Sequence, residues 1–258
     1  MTDAALPRLE IDGREATADD LQVPALGAYG HFTAMQVRNN RVRGLALHLD
    51  RLDAANRALF GVGLDGGLIR HRIRHALGGD TPDASVRVHV YPSGPKDATS
   101  VLVAVRPPKD SPRRARRLLT VPYQRPVAHV KHIGDFGQTY YKRLARHRGH
   151  DDALLVGPDG TVSETATANI GLFDGTKVVW PEAPVLAGIT MQLLVAHGPA
   201  SESRPVRVAD LASFDGAIVA NSQGIAAVSH VDELALPVAG TRTRALVEAY
   251  EAVPGDEI

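Results

Sequence analysis

Cysteine is absent from the 258 residues. Its absence removes disulfides, thiolate chemistry and the commonest structural zinc sites together, and no metal is expected. No run approaches the roughly 18 apolar residues of a membrane helix. The opening MTDAALPRLEIDGREA carries acids and has no apolar core of signal-peptide length, so a cytoplasmic, non-membrane protein is expected. An excess of one charge is missing too. With 29 basic and 29 acidic side chains the formal net charge is zero, and nothing argues for nucleic acid or an acidic membrane surface. The basic run Pro112 to Arg117 lacks interleaved aromatics that could stack bases and reads as a solvated linker. Lysine is scarce: Lys96, Lys109, Lys131, Lys142 and Lys177 stand among many arginines.

What remains is ordinary for a globular chain, 44% hydrophobic and 22% charged, long enough for one large domain or two smaller ones. Leu9 to Ile11 and Arg14 to Ala16 read as a hairpin around Asp12-Gly13. Gly30 to Val37 reads as a strand and Arg38 to Arg41 as its turn. Leu45, Leu49, Leu52 and Leu59 then recur at helical spacing until Gly61 and Gly63 break the pattern. A second helix, Leu68 to Leu77, stops at Gly78-Gly79. Val86, Val88 and Val90 alternate with Arg87 and His89 as a half-buried strand, with Val101 to Val105 as its buried neighbour. Prolines and charges cluster in Pro107 to Arg117, which predicts a linker. The expected organisation is a first α/β unit over 1–106, a linker over 107–117 and a second domain over 118–258. Strands dominate the second half, with turns at Pro158-Asp159-Gly160 and Asp174-Gly175 and helices at about 136–148, 189–197 and 241–252. Periodicity alone yields an α+β chain of two domains.

One stretch stands out, Val130 to Phe173, where Lys131 and Glu164 bracket a βαββ pattern. Lys96 and Lys109 lie in proline-rich loops, Lys177 follows a hairpin turn, and Lys142 shares a helix with Arg143 and Arg146. Lys131 instead ends an apolar strand and precedes Gly134 and Gly137. Residue type leaves Lys131 open between an exposed strand end and a site amine, and Glu164 between a solvated carboxylate and a site acid. Such a pair suits an aldehyde cofactor: the amine condenses with the aldehyde, and the acid keeps a ring nitrogen protonated. The small residues after Glu164 would let the backbone approach a flat ring.

Five pieces follow one another: HLDRL (His48 to Leu52), Lys131, VSETATANIGLF (Val162 to Phe173), LAGIT (Leu186 to Thr190) and ANSQGIAAV (Ala220 to Val228). Together they resemble the class IV, fold type IV aminotransferases, the group of the branched-chain and D-amino-acid aminotransferases and aminodeoxychorismate lyase. The resemblance covers most of the chain. It implies a small N-terminal α/β domain, a larger C-terminal pseudo-barrel domain, pyridoxal 5'-phosphate as cofactor and a homodimer. It also implies roles. Lys131 is the catalytic, cofactor-binding lysine and Glu164 the partner of the ring nitrogen. Arg51, Gly188-Ile189-Thr190 and Ser222 form the phosphate cup, a guanidinium and a helix start both being suited to an anion. Thr167 and Leu186 complete the cofactor contacts, although a plain core leucine accounts for Leu186 nearly as well. Asn169 reads as a residue that satisfies backbone groups.

The departures from the family are informative. Branched-chain relatives carry a tyrosine five residues after the lysine, where this chain has Phe136. The strand-end arginine that D-amino-acid enzymes use on the substrate carboxylate has no counterpart in VHVYPSG. His31, Phe32, Thr33, Arg38 and Phe136, with Tyr29 and Gln36 nearby, are the substrate candidates. His31, Thr33 and Arg38 are expected to share a direction under strand periodicity. Lyases read close to HLNRL after the lysine, whereas His132-Ile133-Gly134-Asp135-Phe136 departs after two residues. The expected reaction is therefore amino transfer between an amino acid or amine and a 2-oxo acid. An aminodeoxychorismate-type lyase and a catalytically silent ligand-binding relative are the alternatives.

Overall fold

The computed structural model describes residues 7–94, 98–110 and 114–258. Lys96, Pro112 and Arg113 lie outside the described residues, as does the start of the N-terminal segment read above. The chain forms two compact units. One is Met1–Lys109 with Val130–Gly134 and Pro254–Ile258; the other is Asp110–His129 with Asp135–Val253. One break falls between Lys109 and Asp110, and two short segments return to the first unit, so neither unit is one contiguous piece of chain.

In the first unit β1 (Arg8–Ile11) and β2 (Arg14–Glu15) pair as a hairpin. Asp12 and Gly13 between them take φ of 54° and 86°, the left-handed values that a two-residue turn requires. α1 (Gln22–Leu26) is short and buries nothing. There follow β3 (His31–Val37), β4 (Arg41–Arg43), α2 (Leu45–Phe60), α3 (Gly66–Leu77), β5 (Ala84–Pro92) and β6 (Thr99–Arg106). The five-stranded sheet has the order β2-β1-β6-β5-β3 and is antiparallel throughout. Alternation sends Met35 and Val37 of β3, Val86, Val88 and Val90 of β5, and Val101, Val103 and Val105 of β6 into one core with Leu45 and Leu52 of α2 and Ile69 and Ile73 of α3. Leu52 is fully buried there, and truncating such a leucine to alanine costs about 2–5 kcal/mol. α2 stops at Gly61, whose φ of 72° closes the helix with an N–H bond to Arg57 O, a conformation glycine takes without steric cost. Asp65 caps α3 by accepting from the N–H groups of Gly67 and Leu68. The strand Gly255–Glu257 pairs with β4, and Arg74 Nε donates to Ile258 O at 2.7 Å.

The second unit contains β7 (Arg116–Pro122), α4 (Phe136–His147), β8 (Asp152–Val156), β9 (Val162–Thr165), β10 (Asn169–Asp174), β11 (Lys177–Pro181), α5 (Ile189–His197), β12 (Ser201–Arg204), β13 (Ala217–Asn221), β14 (Gly224–Val231), β15 (Leu234–Ala235) and α6 (Gly240–Ala252). Among the described residues these strands make one mixed sheet, β12-β11-β10-β13-β14-β7-β8-β9, with β15 on β14. β7 runs parallel to both β14 and β8, and β11 parallel to β12. Leu118, Leu154, Ile170, Leu172 and Val228 fill one core of the unit, and Trp180, Leu194, Ile218 and Leu246 another. The fold class is α+β, as expected. Among the described residues no helix is long and apolar enough to cross a membrane.

Candidate functional site

In the first unit Lys131 is tied to the start of β3 by its backbone. Phe32 N–H donates to Lys131 O and Ile133 N–H to Gly30 O, each at 2.9 Å, and His132 bridges to His31. The Lys131 amine lies 4.6 Å from the centroid of the Phe32 ring, within cation–π range. That ring also stacks on His89 at 5.2 Å and carries the Arg87 guanidinium at 5.6 Å. Burial first, then Arg87, Arg106 and His31, push His89 down to about 4, so it is neutral beside these cations at pH 7.

The opposite parity of β3 points at α2. His31 is 1% exposed, with Nε2 against Asn56 Oδ1 at 3.1 Å; burial lowers its pKa although the Asn56 bond opposes this. Thr33 Oγ1 lies 2.7 Å from His48 Nδ1 and accepts from Arg51 Nη2. Burial and Arg51 hold His48 well below the usual histidine range, so its ring is neutral. Burial alone pushes Arg51 down to about 10. Its Nε has no hydrogen-bond partner, and among the described residues it has no ion-pair partner. The shared direction expected of Arg38 is corrected here. β3 ends at Val37, Arg38 has the other parity, and its Nη1 donates to Val37 O at 2.9 Å in the turn.

In the second unit Glu164, at the centre of β9, is 5% exposed. Its Oε1 accepts from Arg125 Nη1 at 2.9 Å and from Leu186 N–H at 3.3 Å. Asn169 Nδ2 donates to Leu186 O at 2.8 Å, so both backbone groups of Leu186 are held. Two residues on, Gly188 precedes α5 with no side-chain cap. A Cβ at Gly188 would stand 2.1 Å from Asn169 Oδ1, so any larger residue would have to displace the Asn169 side chain. The first α5 bond joins Gln192 N–H to Gly188 O, and the preceding N–H groups have no intrahelical acceptor. Thr190 Oγ1 donates to Asn221 O at 2.8 Å, placing the start of α5 against the β13–β14 turn that carries Ser222.

Thr167 sits differently from the role implied for it. Its hydroxyl donates to Asp152 Oδ2 at 2.6 Å and accepts from Lys142 Nζ at 3.1 Å. Thr165 Oγ1 reaches the same carboxylate at 3.2 Å, so Asp152 fixes the turn from β9 into β10. Burial lowers the Lys142 pKa, with Asp152 opposing; Lys142 is half-buried and engaged, not simply part of a charged surface. Phe136, at the start of α4, is 81% exposed and stacks on Tyr140. The sequence reading passed over Arg125 and Asp152. Neither carried a signal beyond a charged residue beside apolar neighbours.

The first unit holds an amine and a partly buried guanidinium, and the second a buried carboxylate and an uncapped helix start. The family model described as amino-transferase class IV matches residues 30–231, and the chain belongs to that family. Solved structures share its fold. The branched-chain amino acid aminotransferase of Escherichia coli superposes with a TM-score of 0.83 at 17% identity, over 96% of this chain and 94% of that one. A hypothetical aminotransferase from Mycobacterium tuberculosis, in a PLP-bound form, gives 0.80 at 21% over 95% and 98%. The 4-amino-4-deoxychorismate lyase of Pseudomonas aeruginosa gives 0.77 at 24% over 95% and 99%. No curated protein matches the chain by sequence.

Proposed function

We propose that this chain is a pyridoxal 5'-phosphate-dependent aminotransferase that moves an amino group between an amino acid or amine and a 2-oxo acid. The observation that carries the reading is Arg51. A partly buried guanidinium with neutral partners, a buried and unbonded Nε and no carboxylate partner among the described residues lacks an anion, and a phosphate supplies one in bidentate geometry. Each residue the resemblance names has chemistry suited to the cofactor. Arg51, the N–H groups at the start of α5 and Ser222 would hold its phosphate, Leu186 would pack on its ring, and Lys131 would take its aldehyde end.

When bound, the cofactor supplies an electron-poor ring that stabilises the electron pair left at the substrate Cα. Lys131 Nζ would take the Cα proton and later return one. Glu164 keeps a proton on the ring nitrogen. Phe32, with Lys131 and Arg87 both against its ring, and Arg38 are the substrate-facing candidates. His31 and Thr33 are engaged with α2 and support the site from behind. Phe136 offers no phenol to the ring hydroxyl. Loss of the Cα proton opens both transfer and lyase reactions, so Lys131 and Glu164 serve either; the departure of His132 to Phe136 from the lyase pattern favours transfer.

Single-turnover mixing with a panel of amino acids and amines tests the reading. Transfer leaves the cofactor in its amine form, whereas release of pyruvate from aminodeoxychorismate with the cofactor unchanged would establish the lyase instead. A cytoplasmic homodimer belongs to the same reading, and an active monomer in light scattering overturns that part.

A further inference from the structure

Glu164 already has a cation of its own. The Arg125 and Glu164 side chains are 6% and 7% exposed and meet at 2.9 Å, and the same Nη1 of Arg125 donates to Ala128 O at 3.0 Å. The loop that delivers Arg125 is conformationally costly. Val127 has φ of 47°, a genuine outlier for a β-branched residue, of the kind kept only where surrounding contacts over-determine it. One residue further on is the carbonyl that fixes the guanidinium. Leu186 N–H donates to the same oxygen, so Oε1 is held by both Arg125 and the Leu186 backbone.

We infer that Arg125 is a positioning residue for the proposed reaction: it keeps Glu164 ionised and oriented, and so decides that the proton shared by Glu164 and the cofactor's ring nitrogen resides on the nitrogen. The inference rests on Glu164 being the partner of that nitrogen. One proton between a buried carboxylate and a pyridine nitrogen can sit on either. A fixed positive charge in contact with the carboxylate lowers the carboxylate's proton affinity most, because the interaction falls with distance, and less that of whatever the carboxylate faces. Arg125 therefore tips the proton away from Glu164. Without it, a carboxylate buried to this degree takes up the proton itself, and the ring becomes the poorer electron sink.

The test is to load wild type, Arg125→Lys and Arg125→Met with cofactor carrying 15N at the ring nitrogen and to follow its chemical shift at neutral pH. Wild type and Arg125→Lys are expected at the protonated value, with Arg125→Met shifted towards the unprotonated one. A bound cofactor whose nitrogen reads the same in wild type and Arg125→Met overturns the inference, since a purely structural role would lower stability or affinity without moving that shift. The cofactor-free proteins give a second readout by infrared difference spectroscopy. Arg125→Met should convert one carboxylate band into a carboxylic acid band that disappears in Arg125→Met/Glu164→Gln, and persistence of the carboxylate band would count equally against the inference. If wild type takes up no cofactor, the proposed function falls, while the cofactor-free spectra still decide the role of Arg125.

Discussion

Arg51 in the first unit, partly buried, and Glu164 in the second, buried, are charges of opposite sign, and their surroundings differ. Arg51 faces a threonine hydroxyl and a neutral histidine, so its desolvation is uncompensated and its pKa falls to about 10. Glu164 faces an arginine and a peptide N–H. A buried charge is costly unless paired, and the chain meets that cost internally at one place and leaves it open at the other. The open charge is where a ligand anion gains most; the paired one has the arrangement of a group that must stay in one protonation state.

The largest expected effect lies outside both charges. Lys131→Ala should abolish borohydride-dependent attachment of the cofactor, and peptide mapping should place the wild-type attachment on Lys131; finding it on Lys142 would reassign the amine. Next, Glu164→Gln should retain cofactor yet slow Cα proton loss by orders of magnitude in a stopped-flow half-reaction. It also strands Arg125, so the cofactor-free protein should lose about 3–5 kcal/mol in urea denaturation. Arg51→Ala should behave oppositely. Cofactor affinity falls roughly ten- to hundredfold, while the cofactor-free protein is no less stable, because the cation removed had no counter-charge. Equal destabilisation by the two substitutions would break the contrast.

The smallest effect concerns His89, held at about 4 against an ordinary 6.5. Its folded-state pKa is depressed, so the unfolded chain binds a proton first as pH falls. Stability is unaffected above 6.5 and is lost progressively between there and about 4. At about pH 5 the loss should be about 1–2 kcal/mol, discounted for partial exposure. His89→Gln should flatten that part of the urea-midpoint profile, and an unchanged slope would assign the loss to other groups.

Local signals were legible wherever one residue type dictates one conformation. The Asp12-Gly13 turn, the alternation of Val86, Val88 and Val90, and the three helices of the second unit appear within about one residue of the expectation. What stayed hidden depends on contacts between distant residues. The alternation of β3 was visible, but which parity faces α2 was not, so His31 and Thr33 looked like substrate residues when they bond Asn56 and His48. Arg125 belongs to no periodic pattern; its partner lies 39 residues away. The hydroxyl of Thr167 looked available because nothing local announces that Asp152 and Lys142 converge on it.

The return of Gly255–Glu257 to β4 bears on the order of events in folding. β4 finds its partner more than two hundred residues along the chain, a pairing whose closure is entropically the slowest kind to form. The first unit therefore cannot be completed until Gly255–Glu257 has been made, by which point most of the second unit is already available to fold. In pulse-labelled refolding the amides of β4 should gain protection after those of β13 and β14. A chain ended at Val253 should keep β4 open to protease even when the nine-stranded sheet is formed.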